Sequence, residues 1–173
     1  MYYNLKNAVI MSYLINNNSN IFNVQAQKAS SISSQTGSSS YQDLTSSDIT
    51  YSCDSTVSKV VYEYTANFVR GGGYGVGLAK LLQYNTSTSA WEDVSASHYV
   101  SFGLGSNGGY PRDNTTFKFV LDSWSGNKQL KMQWKVITGG MSAHHAEYVT
   151  TLGGTNDTSY IIKPFLIVYS IKN

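Results

Sequence analysis

The feature that most constrains this chain is the clean alternation of apolar and polar side chains between Gln129 and Ile137. Successive side chains of a strand point to opposite faces of its sheet, so the pattern predicts a strand with one buried and one solvated face. The residues expected to face the core are Leu130, Met132, Trp134 and Val136. The segment from Lys59 to Phe68 repeats the pattern, with its inward face expected to carry Val60, Tyr62, Tyr64, Ala66 and Phe68.

Shorter strand-like runs fill most of the remaining chain after residue 48. They lie near residues 49–53, 78–84, 91–94, 98–104, 115–121, 143–152 and 160–171, and Gly, Asn and Ser turns separate them. No useful helical period follows residue 30. About eight to ten short strands with such turns predict an all-β fold, an antiparallel β-sandwich of the jelly-roll kind.

The N-terminal quarter has a different composition. Residues 28–47 are rich in Ser, Gln, Thr and Gly, and they carry too little apolar surface to fold alone. We therefore divide the chain into an extended arm or attachment segment over residues 1–44 and a jelly-roll domain over residues 45–173. The arm is expected to be ordered by neighbouring subunits, and a disordered tail is the alternative.

The composition argues against several partners. Charged residues make up 13% of the chain, against roughly 25% in typical globular proteins. The net charge is +2, which is too small for the positive field that nucleic-acid binding requires, so no nucleic acid is expected. No run approaches the roughly 20 apolar residues of a membrane span. The sole cysteine, Cys53, excludes a disulfide within the chain.

The candidate chemical groups do not form a site. His144 and His145 are neighbours, and neighbours on a strand point apart, so together with His98 they predict no metal site. The adjacent carboxylates of Glu92 and Asp93 diverge for the same reason. No Gly-x-Ser-x-Gly nucleophile motif occurs. We expect no enzyme and no cofactor.

The last predicted strand is apolar on both faces. Phe165, Ile167, Tyr169 and Ile171 share one face, while Leu166 and Val168 share the other. A strand covered on both sides needs a second partner outside a single sandwich, which predicts a subunit interface. The residues assigned to it are Phe165, Leu166, Ile167, Val168 and Tyr169. We expect Val168→Asp to break this interface.

Two glycine-rich segments predict exposed loops that contact a partner. They are residues 71–77 and 105–110, and each carries a tyrosine, Tyr74 and Tyr110. Tyr offers amphipathic contact area at low entropic cost. With Trp91 and Trp124, these tyrosines are the predicted partner-binding residues, and they are the candidates for an aromatic platform that binds sugar.

Three runs of residues resemble a known family. They are residues 49–53 with 59–64, then residues 130–134 followed by His145, and finally residues 161–171. Over residues 45–173 the chain resembles the head domains of marine phage and other viral fibre, spike and decoration proteins. Those domains are similar to the trimeric jelly-roll of the tumour-necrosis-factor and C1q type. No heptads or collagen-like triplets precede the head, which departs from the pattern of a long fibre.

The resemblance implies a homotrimer with the terminal strand near its threefold axis and attachment through the N-terminal segment. The function expected from it is that of a virion structural protein: a trimeric decoration or cement protein on a capsid. Its partners would be other copies of itself and the major capsid protein or other virion proteins. The alternative is the host-recognition tip of a tail fibre or spike, which binds a receptor or surface glycan.

Overall fold

A computed structural model describes residues 20–29, 34–53, 56–70, 75–94, 99–104, 112–143 and 163–172. In these residues, regular structure is entirely β. The strands are β1 (Ile21–Lys28), β2 (Gln35–Thr36), β3 (Gln42–Asp43), β4 (Ile49–Cys53), β5 (Lys59–Arg70), β6 (Gly75–Asn85), β7 (Ala90–Asp93), β8 (Tyr99–Leu104), β9 (Arg112–Asp122), β10 (Gly126–Thr138), β11 (Met141–Ala143) and β12 (Phe165–Ile171).

The first sheet is built around β5. The strand β9 pairs along one side of β5, and β12 and β11 pair one after the other along its opposite side. Beyond them, β1 pairs with β12 and β2 pairs with β11. All these pairings are antiparallel, so the sheet is four strands wide. We call it the terminal sheet because it contains the last strand.

The second sheet is built around β10 and β6. The outer side of β10 pairs with β4 and β3, and the outer side of β6 pairs with β7 and β8. This sheet is also antiparallel and four strands wide. Along the chain, β1, β5, β9 and β12 belong to the terminal sheet, while β4, β6 and β10 belong to the second sheet. A chain that crosses repeatedly between two antiparallel sheets, here of six strands each and four strands wide, is a jelly-roll, so the predicted fold class is confirmed.

The core lies between the two sheets, and the alternating segments supply it as predicted. The inward side chains of β5 and β10 are fully buried, whereas Val136 at the end of β10 is partly buried. Edge-to-face ring pairs fill the centre, such as Phe68 with Trp134 at 5.4 Å between ring centroids. The buried core residues of these two strands are Val60, Tyr62, Tyr64, Ala66, Phe68, Leu130, Met132 and Trp134.

The structure describes part of the N-terminal segment that the sequence predicts as an arm over residues 1–44. Residues 1–19 and 30–33 lie outside the described residues, but the described part of 1–44 pairs within this chain's own two sheets. The strand β1 adds to the edge of the terminal sheet beside β12. Phe22, Val24 and Ala26 alternate here with Asn23, Gln25 and Gln27, so the sequence carries a short strand pattern that the division at residue 44 left outside the jelly-roll domain.

Residues 34–48, here called the strap, cross from one sheet to the other along the open edge of the sandwich. At its start, Gly37 N donates to Met141 O at 2.7 Å. Val136 N donates to Ser38 O, also at 2.7 Å. The strap therefore ties β11 of the terminal sheet to β10 of the second sheet.

Two buried tyrosines of β5 hold the end of the strap. The hydroxyl of Tyr64 donates to Thr45 O at 2.7 Å, and that of Tyr62 donates to Ser47 O. Burial raises the pKa of both tyrosines, well above the usual value for Tyr62. Both hydroxyls therefore stay protonated and donate at any ordinary pH.

Candidate functional site

The structure separates the two faces of the terminal strand. Leu166 and Val168 are 0% exposed because they lie opposite the inward side chains of β5 and belong to the core of the chain itself. Phe165, Ile167 and Tyr169 point outward and are half-buried. Only these three of the five predicted interface residues are available to a second subunit. Val168→Asp would therefore test folding rather than assembly.

The outer side of the terminal sheet carries an apolar band, here called the terminal-sheet face. Besides the outward residues of β12, it includes Val120 of β9 and, between them, Val61 of β5, which is itself only 1% exposed. Tyr169, Val61 and Val120 form one row across three strands. Val120 is 48% exposed although it is apolar. Large apolar areas on a sheet surface commonly mark protein contacts.

Two ion pairs lie on the same side of the sheet as this apolar face, Lys59 with Asp122 and Lys118 with Glu63. Lys118 Nζ is 2.7 Å from Glu63 Oε1, and Tyr169 Oη donates to the same oxygen at 3.0 Å. The hydrogen bond with Glu63 raises the pKa of Lys118, and partial burial raises the pKa of Tyr169. Each pair is neutral overall, so a partner that covers the face would meet no unbalanced charge here.

The outer side of the second sheet has a different character. Lys131 Nζ lies 4.3 Å from the ring centroid of Trp91 and 2.7 Å from Asp43 Oδ2. Gln133 also donates to Asp43, at 2.8 Å. The indole of Trp91 packs edge-to-face against Tyr84, with 5.4 Å between their centroids.

A second group of contacts continues this surface towards the strap. The ring of Tyr41, on the strap, lies beneath two ammonium groups: Lys80 Nζ at 4.4 Å and Lys135 Nζ at 4.7 Å from its centroid. Lys80 also pairs with Asp93 at 2.8 Å. Burial raises the pKa of Tyr41, so its hydroxyl stays neutral. We call the surface formed by Tyr41, Lys80, Trp91, Lys131 and Lys135 the lysine–aromatic face.

Trp124 lies on the other side of the second sheet. Its ring packs against Tyr51, with 6.1 Å between centroids, and Lys128 Nζ lies 4.6 Å from it. Its Nε1 donates to Gly126 O at 3.1 Å. Burial lowers the pKa of Lys128. Trp124 therefore closes one end of the core.

The predicted aromatic platform is not assembled in the described part of the chain. Trp91 is on the outer side of the second sheet, whereas Trp124 packs towards the core. Tyr74 and Tyr110 lie outside the described residues, as do His98, His144 and His145. Sequence reasoning did not select Tyr41 and the three lysines of the lysine–aromatic face. The available signal was the outward series of lysines on β10, which Lys131 and Lys135 form.

A cleft of about 550 Å³ separates the edge strands β1 and β4, lined by residues 24–27 and 48–50. Side chains bridge it: Gln27 Nε2 donates to Asp48 O at 2.6 Å, and Asn23 Nδ2 donates to Ser52 O at 2.5 Å. These amides satisfy carbonyl groups that a further strand would otherwise pair.

Neither a metal site nor a membrane-spanning helix occurs among the described residues. Within them, no group of three or more His, Cys, Asp or Glu side chains has the arrangement of a metal site. The same residues contain no helix of the length and apolarity needed to cross a bilayer.

The similar structures described below are distant ones. No family model and no curated protein matches the chain. A solved structure of T=1 particles derived from infectious bursal virus is similar at 13% identity and a TM-score of 0.41, covering 87% of this chain and 36% of that one. The Eiger TNF of S. frugiperda is similar at 7% identity and a TM-score of 0.33. The match covers 82% of this chain and 94% of that one.

A third similar structure is the enzymatically active domain of tailspike protein 4 from bacteriophage CBA120. It shares 7% identity at a TM-score of 0.25, over 70% of this chain and 18% of that one. The chain thus spans about a third of the virus-particle protein and less of the tailspike. The jelly-roll assignment rests on the strand order of this chain itself.

Proposed function

We propose that this chain is a non-catalytic structural protein of a virus particle that assembles as a trimer through its terminal-sheet face. The observation that supports this proposal is a half-buried apolar row on the outer side of the last strand, formed by Phe165, Ile167 and Tyr169. This row lies outside a core that is already closed. In water this row costs about 25 cal/mol per Å² of exposed apolar surface, and a second copy of the face would cover it. Two ion pairs are described on the outer side of this sheet, Glu63 with Lys118 and Lys59 with Asp122, and each is internally balanced.

The viral setting is proposed from the resemblance of residues 45–173 to viral head and decoration domains. A jelly-roll by itself serves many functions, so the fold alone does not select one. The sparsely charged surface of the chain suits protein contact on a particle. Within this proposal the protein decorates or cements a capsid, is attached through its N-terminal segment, and is located on the virion.

The alternative, a host-recognition tip that binds glycan through aromatic side chains, receives less support. Its two described candidates, Trp91 and Trp124, lie on opposite sides of the second sheet. Each also has a lysine ammonium within 5 Å of its ring centroid, 4.3 Å for Trp91 and 4.6 Å for Trp124. A sugar would have to compete with those ammonium groups for the rings.

The test is the mass of the full chain in solution, measured by light scattering during size exclusion. We expect a mass of three chains for the wild type and of one chain for Ile167→Asp, because the new carboxylate would be buried without a partner in the interface. Ile137→Asp is the matched control, since Ile137 is an exposed isoleucine on the second sheet. It should remain a trimer.

Circular dichroism would confirm that both variants are folded before their masses are compared. A wild-type mass of one chain would refute the assembly. If the folded Ile167→Asp variant instead keeps the wild-type mass of three chains, the trimer exists but the terminal-sheet face does not form its interface.

A further inference from the structure

The lysine–aromatic face concentrates positive charge in a chain that has little of it. Lys80, Lys131 and Lys135 point outward from two neighbouring strands, β6 and β10. Two carboxylates, Asp43 and Asp93, pair with Lys131 and Lys80 at 2.7 and 2.8 Å. The three ammonium groups thus meet two carboxylates.

Lys135 carries the excess charge. Among the described residues no carboxylate pairs with it, and its described contact is the ring of Tyr41 at 4.7 Å. A tyrosine ring attracts a cation weakly at an exposed site, by about 0.5–1 kcal/mol, and it does not neutralise the charge. The ammonium group of Lys135 is therefore held in place and can still pair with a carboxylate from another molecule.

Two aliphatic residues lie near Lys135 on the second sheet. Leu78 lies directly across from it on β6 and is partly exposed. Ile137, two residues further along β10, is 53% exposed. Apolar surface beside a positioned cation is the usual composition of a protein contact, with an apolar centre and a polar rim.

The aromatic rings favour a protein partner over a sugar. Sugars bind aromatic side chains by lying on a ring, and here Trp91 and Tyr41 carry lysine ammonium groups within 4.7 Å of their centroids. These rings hold the lysines in place. What remains for a ligand is the charge of Lys135 and the aliphatic surface of Leu78 and Ile137.

We propose that the lysine–aromatic face docks a second protein whose surface presents carboxylates around an apolar contact. This contact lies on the sheet opposite the terminal-sheet face. A trimer joined through the terminal sheet would therefore leave it available on each subunit. The proposal goes beyond self-assembly and does not depend on it, because charge complementarity on the second sheet supports it separately.

The probe is a fluorescently labelled peptide, Gly-Asp-Asp-Leu-Leu-Asp-Asp-Gly, titrated with the full chain and followed by polarisation. A matched peptide carries Asn in place of every Asp. We expect the Asp peptide to bind, the Asn peptide to bind at least roughly tenfold more weakly, and high salt to weaken the Asp complex. Lys135→Gln should weaken the Asp complex by a similar factor, and Ile137→Ser should weaken both peptides.

Lys172→Gln is the matched control variant. Lys172 also lies over a ring, that of Phe22 at 4.3 Å, but at the edge of the terminal sheet. It should bind the Asp peptide like the wild type, and equal melting temperatures would show that each variant is folded.

Three results would overturn the proposal. They are absence of binding by the Asp peptide, equal binding of the two peptides, and unchanged binding by Lys135→Gln. A tetramer of galacturonic acid is tested in parallel to distinguish an acidic saccharide ligand from a protein ligand. If it binds through Lys135 while the Asp peptide does not, the face takes an acidic saccharide and the docking of a protein is wrong.

Discussion

The hydroxyl of Tyr51, on β4 of the second sheet, lies 2.6 Å from Ser170 Oγ, on β12 of the terminal sheet. The same hydroxyl donates to Asn23 O of β1 at 2.6 Å, so Ser170 is the donor to Tyr51. Tyr51 and Ser170 are both 0% exposed. One tyrosine therefore joins both sheets at the edge of the sandwich where β1 and β4 face each other.

Tyr51→Phe should lower the free energy of unfolding by about 1–3 kcal/mol, because it leaves buried polar partners without their bonds. The measurement is the midpoint of urea unfolding. Tyr84→Phe is the control, since the hydroxyl of Tyr84 has no described hydrogen bond, and we expect a change within about 0.5 kcal/mol. Equal effects of the two substitutions would mean that the buried hydrogen bonds of Tyr51 make no net contribution to the free energy of unfolding.

Stability should fall as the pH rises above about 10, the unperturbed pKa of tyrosine. Burial raises the pKa of Tyr62 and Tyr64 in the folded chain, so the unfolded state releases protons that the folded state keeps. The sign follows: fewer protons bound in the unfolded state make the free energy of unfolding decrease with pH, by up to about 1.4 kcal/mol per pH unit for each tyrosine. Below pH 10 neither tyrosine makes the free energy of unfolding depend on pH.

Urea unfolding across alkaline pH should show a shallower decline of the free energy of unfolding for Tyr64→Phe than for the wild type. An unchanged slope would contradict this account.

Gly37→Ala should destabilise the chain by about 1–3 kcal/mol. A Cβ atom at Gly37 would collide with the Val136 side chain and lie 2.7 Å from Met141 O, a backbone atom that cannot move aside cheaply. Gly140→Ala provides the comparison, because nothing lies within 4 Å of its added Cβ. Thermal melting of both variants tests whether the strap needs this close approach. A stable Gly37→Ala variant would show that the strap can shift.

Adjacent residues of the last strand should respond differently to the same substitution. Val168→Asp places a charge in the closed core and should cost more than about 4 kcal/mol, enough to unfold a marginally stable chain. Ile167→Asp places the charge on the outer face and should leave the fold intact. Far-ultraviolet circular dichroism distinguishes the two outcomes. A folded Val168→Asp variant would mean that this part of the core tolerates charge.

Sequence pattern was most informative where a strand has one polar face. On β10 the outward lysines and glutamines mark which side is solvated, so the buried residues Leu130, Met132 and Trp134 followed directly. On β12 both faces are apolar, and the pattern carries no information about which one meets the core. The pairing of Val168 with Tyr62 and of Leu166 with Tyr64 decides it, and such register is a property of the sheet rather than of one strand.

The candidate surfaces were predictable only in part. Tyr41 lies in a Ser-rich segment with no period, and the position of its ring beside the ammonium groups of Lys80 and Lys135 depends on the path of the strap. The separation of Trp91 from Trp124 likewise depends on which side of the second sheet each residue meets. Side chains that converge from distant segments leave no local signature, so sequence reasoning reached the terminal strand and missed the lysine–aromatic face.

The pairing of β1 with β12 has a consequence for synthesis on the ribosome. Ile21 lies opposite Ile171, and Lys172 N donates to Asn20 O at 2.8 Å. The earliest described strand can therefore pair only after residues near 171 have left the exit tunnel. Pairings of such long sequence separation form slowly. Until then, β1 and the edge of β5 that later pairs with β12 remain unpaired. During this interval the nascent chain is most prone to aggregation.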